Sequence, residues 1–150
     1  MPMKIDKQNG VSLIEVLVTL VILAIGLLGI AGMQVMSVKN TQVAAQRSIA
    51  TQQAYDIAER MRANLAGAVA GNYDNLDTST PADPGCGPCT PSQQAVADHR
   101  AWNLANAQVL PAGTGSVVGT MLAGYTVTLN WVEQSEAGPA ARSFTTVVHP

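Results

Sequence analysis

From Val16 to Val38 the chain runs for 23 positions without an ionisable side chain. At a rise of about 1.5 Å per residue, a helix over that run crosses a hydrocarbon core of roughly 30 Å. One end of the molecule is thereby committed to an apolar helix before anything else is considered. The run also has an oddity at its leading edge, in the stretch "NGVSLIEVLVTLVILAIGLLGIAG", where Glu15 immediately precedes Val16. An ionised acid deep in hydrocarbon costs roughly 2.5–3.5 kcal/mol on insertion scales, and less near the membrane edge. A plain anchor gains nothing from it.

The ten residues ahead of Val11 carry Lys4 and Lys7 against Asp6. The positive-inside bias then keeps the N-terminus in the cytoplasm and sends the remainder across the membrane in a single pass. A secretory signal peptide has an apolar core of about 7–15 residues followed by a small-residue cleavage site. The run here is too long for that. A signal anchor accounts for the length and the lysines but leaves Glu15 unexplained.

"GVSLIE", Gly10 to Glu15, resembles the class III signal of type IV pilins and pseudopilins. Gly10 and Ser12-Leu13-Ile14-Glu15 match that pattern, with Val11 where phenylalanine is common. The resemblance implies a leader, residues 1–10, removed by a prepilin peptidase that cuts between Gly10 and Val11. It implies N-methylation of the new terminus at Val11. Glu15 becomes the fifth residue of the mature chain, the carboxylate used in assembly.

No proline occurs between Pro2 and Pro81, so the helix can continue past the membrane. Segment 11–38 is then the transmembrane, pilus-core half, with Gly26, Gly29 and Gly32 allowing close contact between helices. Segment 39–66 is amphipathic. Val43, Ala50, Ala54, Ile57, Ala58, Met61 and Leu65 share one face at helical spacing, opposite the charged pairs Asp56/Arg60 and Glu59/Arg62. The helix is expected from about Val11 to Asn64, roughly 80 Å, stopping at Gly67 and Gly71.

The remainder, 67–150, reads as the head. Asn72 to Pro91 is rich in Asp, Asn, Thr, Pro and Gly and predicts a loop. Thr90-Pro91-Ser92-Gln93 predicts a capped helix start. The helix should run to about Gln108 and bury Ala95, Trp102, Ala105 and Val109 or Leu104. "LPAGTG" ends it. Tyr125, Val127, Leu129 and Trp131 alternate with polar residues as a half-buried strand. "SEAGPA" is a turn, and Phe144, Thr146 and Val148 form an antiparallel partner, with a further strand at Ser116 to Val118. The fold class is α+β and pilin-like: a long N-terminal helix, part transmembrane and part amphipathic, packed on a small antiparallel sheet with a short extra helix.

The two cysteines, Cys86 and Cys89, form "CGPC". Thioredoxin-like enzymes carry this tetrapeptide and use a thiolate at a helix N-terminus. Here an Asp/Pro/Gly loop precedes it instead of a strand. A small loop disulfide, natural in an oxidising compartment, is the simpler expectation. His99 and His149 are isolated, so no metal site is expected. No nucleophile triad, carboxylate pair or phosphate loop is present, and a net charge of −2 offers nucleic acid no basic surface. No enzyme activity and no cofactor are expected.

"GLLGIAGMQ" at Gly26 to Gln34, "AYDIAERMRAN" at Ala54 to Asn64, "AWNLANAQVLPAGTGSV" at Ala101 to Val117 and "YTVTLNW" at Tyr125 to Trp131 resemble the PilV family of minor pilins. That resemblance implies a low-abundance structural subunit that primes type IV pilus assembly near the tip. Its partners would be other minor pilins, pilus subunits, the prepilin peptidase and the inner membrane. Two alternatives share parts of this pattern. One is a minor pseudopilin of type II secretion, and the other a membrane-tethered periplasmic thiol oxidoreductase.

Overall fold

The computed structural model describes Gly10, residues 12–135 and residues 138–150. Helix α1 spans Leu13–Ala63, 51 residues. The chain divides into two compact units, Met1–Gln42 and Val43–Pro150. In the first, the described residues from Leu13 onward are helical, and all of its described side chains are exposed.

The second unit holds the core. It comprises residues 43–63 of α1, then α2 (Leu65–Val69), β1 (Asn75–Leu76), α3 (Pro91–Val109), β2 (Thr114–Thr120), β3 (Gly124–Ser135) and β4 (Gly138–Val148). The four strands form one antiparallel sheet in chain order, β1-β2-β3-β4, with Val117 opposite Val127 and Val127 opposite Thr146. Ala50, Ala54, Ile57, Ala58 and Met61 of α1 share a single buried cluster with Trp102 of α3 and with Val117, Tyr125, Val127, Leu129 and Trp131 of the sheet. The fold is α+β and pilin-like. Alternation in β3 is as the sequence implies, with one face buried and Thr126, Thr128 and Asn130 less so. Residues 136 and 137, in the turn expected at "SEAGPA", lie outside the described residues.

Helix α1 stops at Ala63, one residue short of the expected end, and Leu65 is exposed instead of continuing the buried stripe. Asn64 accounts for both. Its backbone leaves helical geometry (φ −116°, ψ 55°), and its side-chain oxygen accepts the Gly67 N–H at 3.3 Å, starting α2 at a new angle. Gly71 then takes φ +78°. Its N–H bonds the Ala68 carbonyl while the Asn72 N–H bonds that of Gly67. This is a Schellman closure, which favours glycine at that position.

Helix α3 begins as its sequence dictates. The Thr90 hydroxyl accepts the Gln93 N–H at 3.3 Å, the Gln93 side chain accepts the Thr90 N–H at 3.0 Å, and Pro91 occupies the first turn. Its buried face differs from the expected one. Leu104 and Val109 are both exposed and Ala105 is half-buried, while Asp98, His99, Asn103 and Asn106 lie buried beside Ala95 and Trp102. The segment from Asp77 to Thr90 has no strand or helix of its own, so its carbonyls need donors from elsewhere. Helix α3 provides them. His99 Nε2 lies 2.9 Å from the Asp77 carbonyl, Asn103 Nδ2 donates to Ser79 O at 2.8 Å, and Arg100 donates to Pro81 O at 2.7 Å. The expected loop also contributes the two-residue strand β1 to the sheet edge.

Two tyrosines join the layers. Tyr73 is fully buried, and its hydroxyl donates to Asp98 Oδ2 at 2.5 Å while accepting from Asn64 Nδ2 at 3.0 Å. Burial first, and the bond to Asp98 second, push its phenol well above the ordinary range. Gln94 donates to the other Asp98 oxygen at 2.9 Å, and Arg60 stands 3.7 Å from it. Tyr125 donates towards the Ala68 carbonyl at 3.2 Å and Asp74 Oδ1 at 3.1 Å, and burial followed by Asp74 raises it to about 12. Gly115 lies so close to α3 that a Cβ there would sit 2.3 Å from the Trp102 ring. The indole nitrogen of Trp102 in turn donates to Gln53 O of α1 at 2.8 Å.

Candidate processing and assembly site

Gly10 and Glu15 flank the start of α1 at Leu13. Gly10 is exposed, and a side chain added there would meet nothing within 4 Å. A bare glycine in open space lets another chain approach its backbone closely. Val11 and the leader residues 1–9 lie outside the described residues.

Two residues later the helix begins. The Ser12 carbonyl accepts the N–H groups of Glu15 at 2.9 Å and Val16 at 3.3 Å, which places Glu15 in the first turn of α1. Peptide dipoles leave partial positive charge there, worth about 0.3–1 kcal/mol to a carboxylate. The helix itself thus offsets part of the cost of an acid at the edge of the apolar run. Sequence reasoning missed this contribution. The signal for it was Ser12 three residues before Glu15, the spacing of a helix-start pair. The Glu15 carboxylate has no hydrogen-bond or ion-pair partner among the described residues. One turn on, the Thr19 hydroxyl donates to the Glu15 carbonyl, which satisfies the first polar group inside the apolar stretch.

The apolar run itself is unburied. The most apolar part of α1 has a mean hydropathy of 2.8, with none of its residues covered by protein. Exposure of Leu17, Val21, Ile25 and Leu28 at 53–73% is untenable in water over such a length and requires lipid or other helices. Gly26, Gly29 and Gly32 face open space.

Cys86 and Cys89 are joined in a disulfide with Cα atoms 5.1 Å apart. The pair sits in the head, in the loop that leads into α3. Cys89 directly precedes the Thr90 cap, where a helix could stabilise a thiolate. The capping Thr90 hydroxyl, however, takes the Gln93 N–H for itself. The segment ahead of the pair, residues 80–85, contains no strand. This is the geometry of a loop closure placed before a capped helix.

A model of the prokaryotic N-terminal methylation motif matches residues 5–31. The match covers Gly10, Glu15 and much of the apolar run. No curated protein and no solved structure matches the chain. The motif supports a type IV pilin-like family, a type IV pilin or pseudopilin. Together with the unburied helix near the N-terminus it supports a membrane-anchored, single-pass protein.

Proposed function

We propose that this chain is a minor type IV pilin of the PilV kind, a structural subunit that helps prime pilus assembly with other minor pilins near the tip. The observation that carries this reading is the continuity of α1. The methylation motif opens it, its apolar half is bare, and its C-terminal part supplies the buried face of an α+β head. A subunit built this way leaves the membrane by exchanging lipid for the apolar helices of its neighbours. The head is periplasmic, and the N-terminus is cytoplasmic until a prepilin peptidase cuts between Gly10 and Val11 and Val11 is methylated. The role is structural, with no catalysis and no cofactor.

Intact-mass analysis of the membrane-extracted protein tests the processing step. The expected mass lacks residues 1–10 and carries one added methyl group. A terminus at Met1, or one after Gly32, overturns the reading. Mass spectrometry of the partners that co-purify with it tests the rest: other minor pilins are expected, and components of a secretion system alone would contradict the pilus role.

The disulfide is read as a local closure. Its ends are three residues apart, so chain entropy assigns it about 2 kcal/mol or less. Replacing both Cys86 and Cys89 by serine should leave co-purification with partner pilins near wild type. Lost co-assembly together with insulin reduction by the wild-type protein would instead indicate a thiol oxidoreductase.

A further inference from the structure

Two clefts among the described residues of the head differ in character. One, of about 290 Å³, lies beside Arg60, Asn64, Gln94 and Asp98. Its polar groups already bond one another, as the Asp98 network shows. The other, of about 480 Å³, is lined by Arg47 and Thr51 of α1, Trp131 of β3, and Arg142, Ser143 and Phe144 of β4. Here the polar groups are not mutually satisfied.

Its construction follows from the sequence. Arg47 and Thr51 are four residues apart and share one side of α1. Trp131 stands directly opposite Arg142 in the β3–β4 register, so both side chains leave the sheet on the same face. Trp131 is only 4% exposed, yet its indole N–H has no acceptor. A buried donor left unpaired costs about 1–3 kcal/mol. The Arg47 guanidinium has no partner among the described residues. Arg142 has one neighbour of opposite charge, Glu133 at 3.6 Å, whose Oε2 is itself buried without a hydrogen bond. The Thr51 hydroxyl donates back to the Arg47 carbonyl. The cleft therefore presents two guanidiniums, Arg47 without a partner among the described residues and Arg142 shared with Glu133, beside the buried Trp131.

An excess of guanidinium over carboxylate suits an anionic acceptor. Two guanidiniums against the Glu133 carboxylate leave one positive charge. That balance suits a carboxylate monoanion, which a guanidinium grips with two parallel bonds. A phosphate monoester, at about −1.5 to −2 near neutral pH, would leave charge uncompensated. We propose that this cleft binds the carboxylate of an aspartate or glutamate side chain presented by a partner polypeptide, with Arg47 and Arg142 as the clamp and Trp131 as the wall beside them. The inference does not rest on the pilin reading, because it requires only a partner with an exposed acid.

The two tryptophans make it testable. The full-length chain in zwitterionic detergent micelles is titrated with a blocked tri-glutamate peptide, and separately with inorganic phosphate, while the indole N–H resonances are followed by NMR. The Trp131 signal should shift saturably with the peptide. The Trp102 signal, already bonded to Gln53, should stay still. Arg47→Gln and Arg142→Gln should each weaken the peptide's apparent affinity about tenfold, and added salt should weaken it further. A Trp131 signal that does not move, one that moves equally in both variants, or one that responds to phosphate but not to the peptide overturns the assignment.

Discussion

Glu15→Gln is expected to insert into the membrane and to be cleaved after Gly10, yet to be lost from complexes with partner pilins. The side chain keeps its size and hydrogen-bonding capacity and loses only its charge. Insertion should be easier without the charge, since an ionised acid is costly in hydrocarbon and the first-turn dipole returns only about 0.3–1 kcal/mol. The carboxylate must therefore meet a cation at a later stage. Removal of the leader would create one, the α-amine of Val11, protonated below a pKa of about 8. That amine is four residues from Glu15 in the sequence. The amine of a neighbouring subunit can take its place, and the pairing then fixes axial register between subunits. In a low-dielectric core such an attraction is many times its strength in water, so a subunit out of register is rejected. Co-purification at matched membrane levels measures the effect. Wild-type recovery of partners with the glutamine variant would show that the carboxylate has no part in assembly.

In the head, a large loss of stability should follow Asp98→Ala. Asp98 is 5% exposed and accepts from Tyr73 and Gln94, with Arg60 beyond. Removing it strands a buried phenol, an amide and part of a guanidinium at once. The cost is roughly 3 kcal/mol. Tyr73→Phe removes one donor and leaves the rest of the network in place, so it should cost about half as much. Urea unfolding of the full-length chain in micelles, followed by tryptophan fluorescence, gives both values. Equal losses in the two variants would mean that Tyr73 alone carries the network, and a loss under about 1 kcal/mol for Asp98→Ala would mean that solvent already serves the carboxylate.

Much of the head was legible because its signals are local. Period-two alternation from Tyr125 to Trp131 can be satisfied only by a strand with one buried face. Thr90-Pro91-Ser92-Gln93 contains the atoms of its own cap. Other features depend on partners distant in sequence. The buried side of α3 was expected to be apolar because a helix usually buries its aliphatic stripe. Here it faces a loop whose carbonyls require donors, and His99 and Asn103 serve them while Leu104 and Val109 face outward. Nothing within α3 announces that loop. Strand β1 was missed for the same reason, since Asn75 and Leu76 become a strand only by pairing with Val118 and Val117. At the N-terminal end, Gly10 and Glu15 lie within residues 5–31, which match the methylation motif, a signal carried by local sequence alone. The Arg47–Trp131–Arg142 cleft was not readable, because it joins residues from three separate elements.

The polar side of α3 also bears on the order in which the head folds. Strands β2, β3 and β4 follow one another directly and pair with their neighbours in sequence, so their contacts close short loops at small entropic cost. The stretch from Asp77 to Thr90 has no such ladder, and its backbone is held by side chains of a helix that must already exist. It is therefore expected to be the last part of the head to settle and the first to open, a late-docking flap hung on a finished frame. Amide exchange should show protection in β3 outlasting that of residues 77–89 by orders of magnitude. Equal protection in the two would mean that loop and sheet form as one unit.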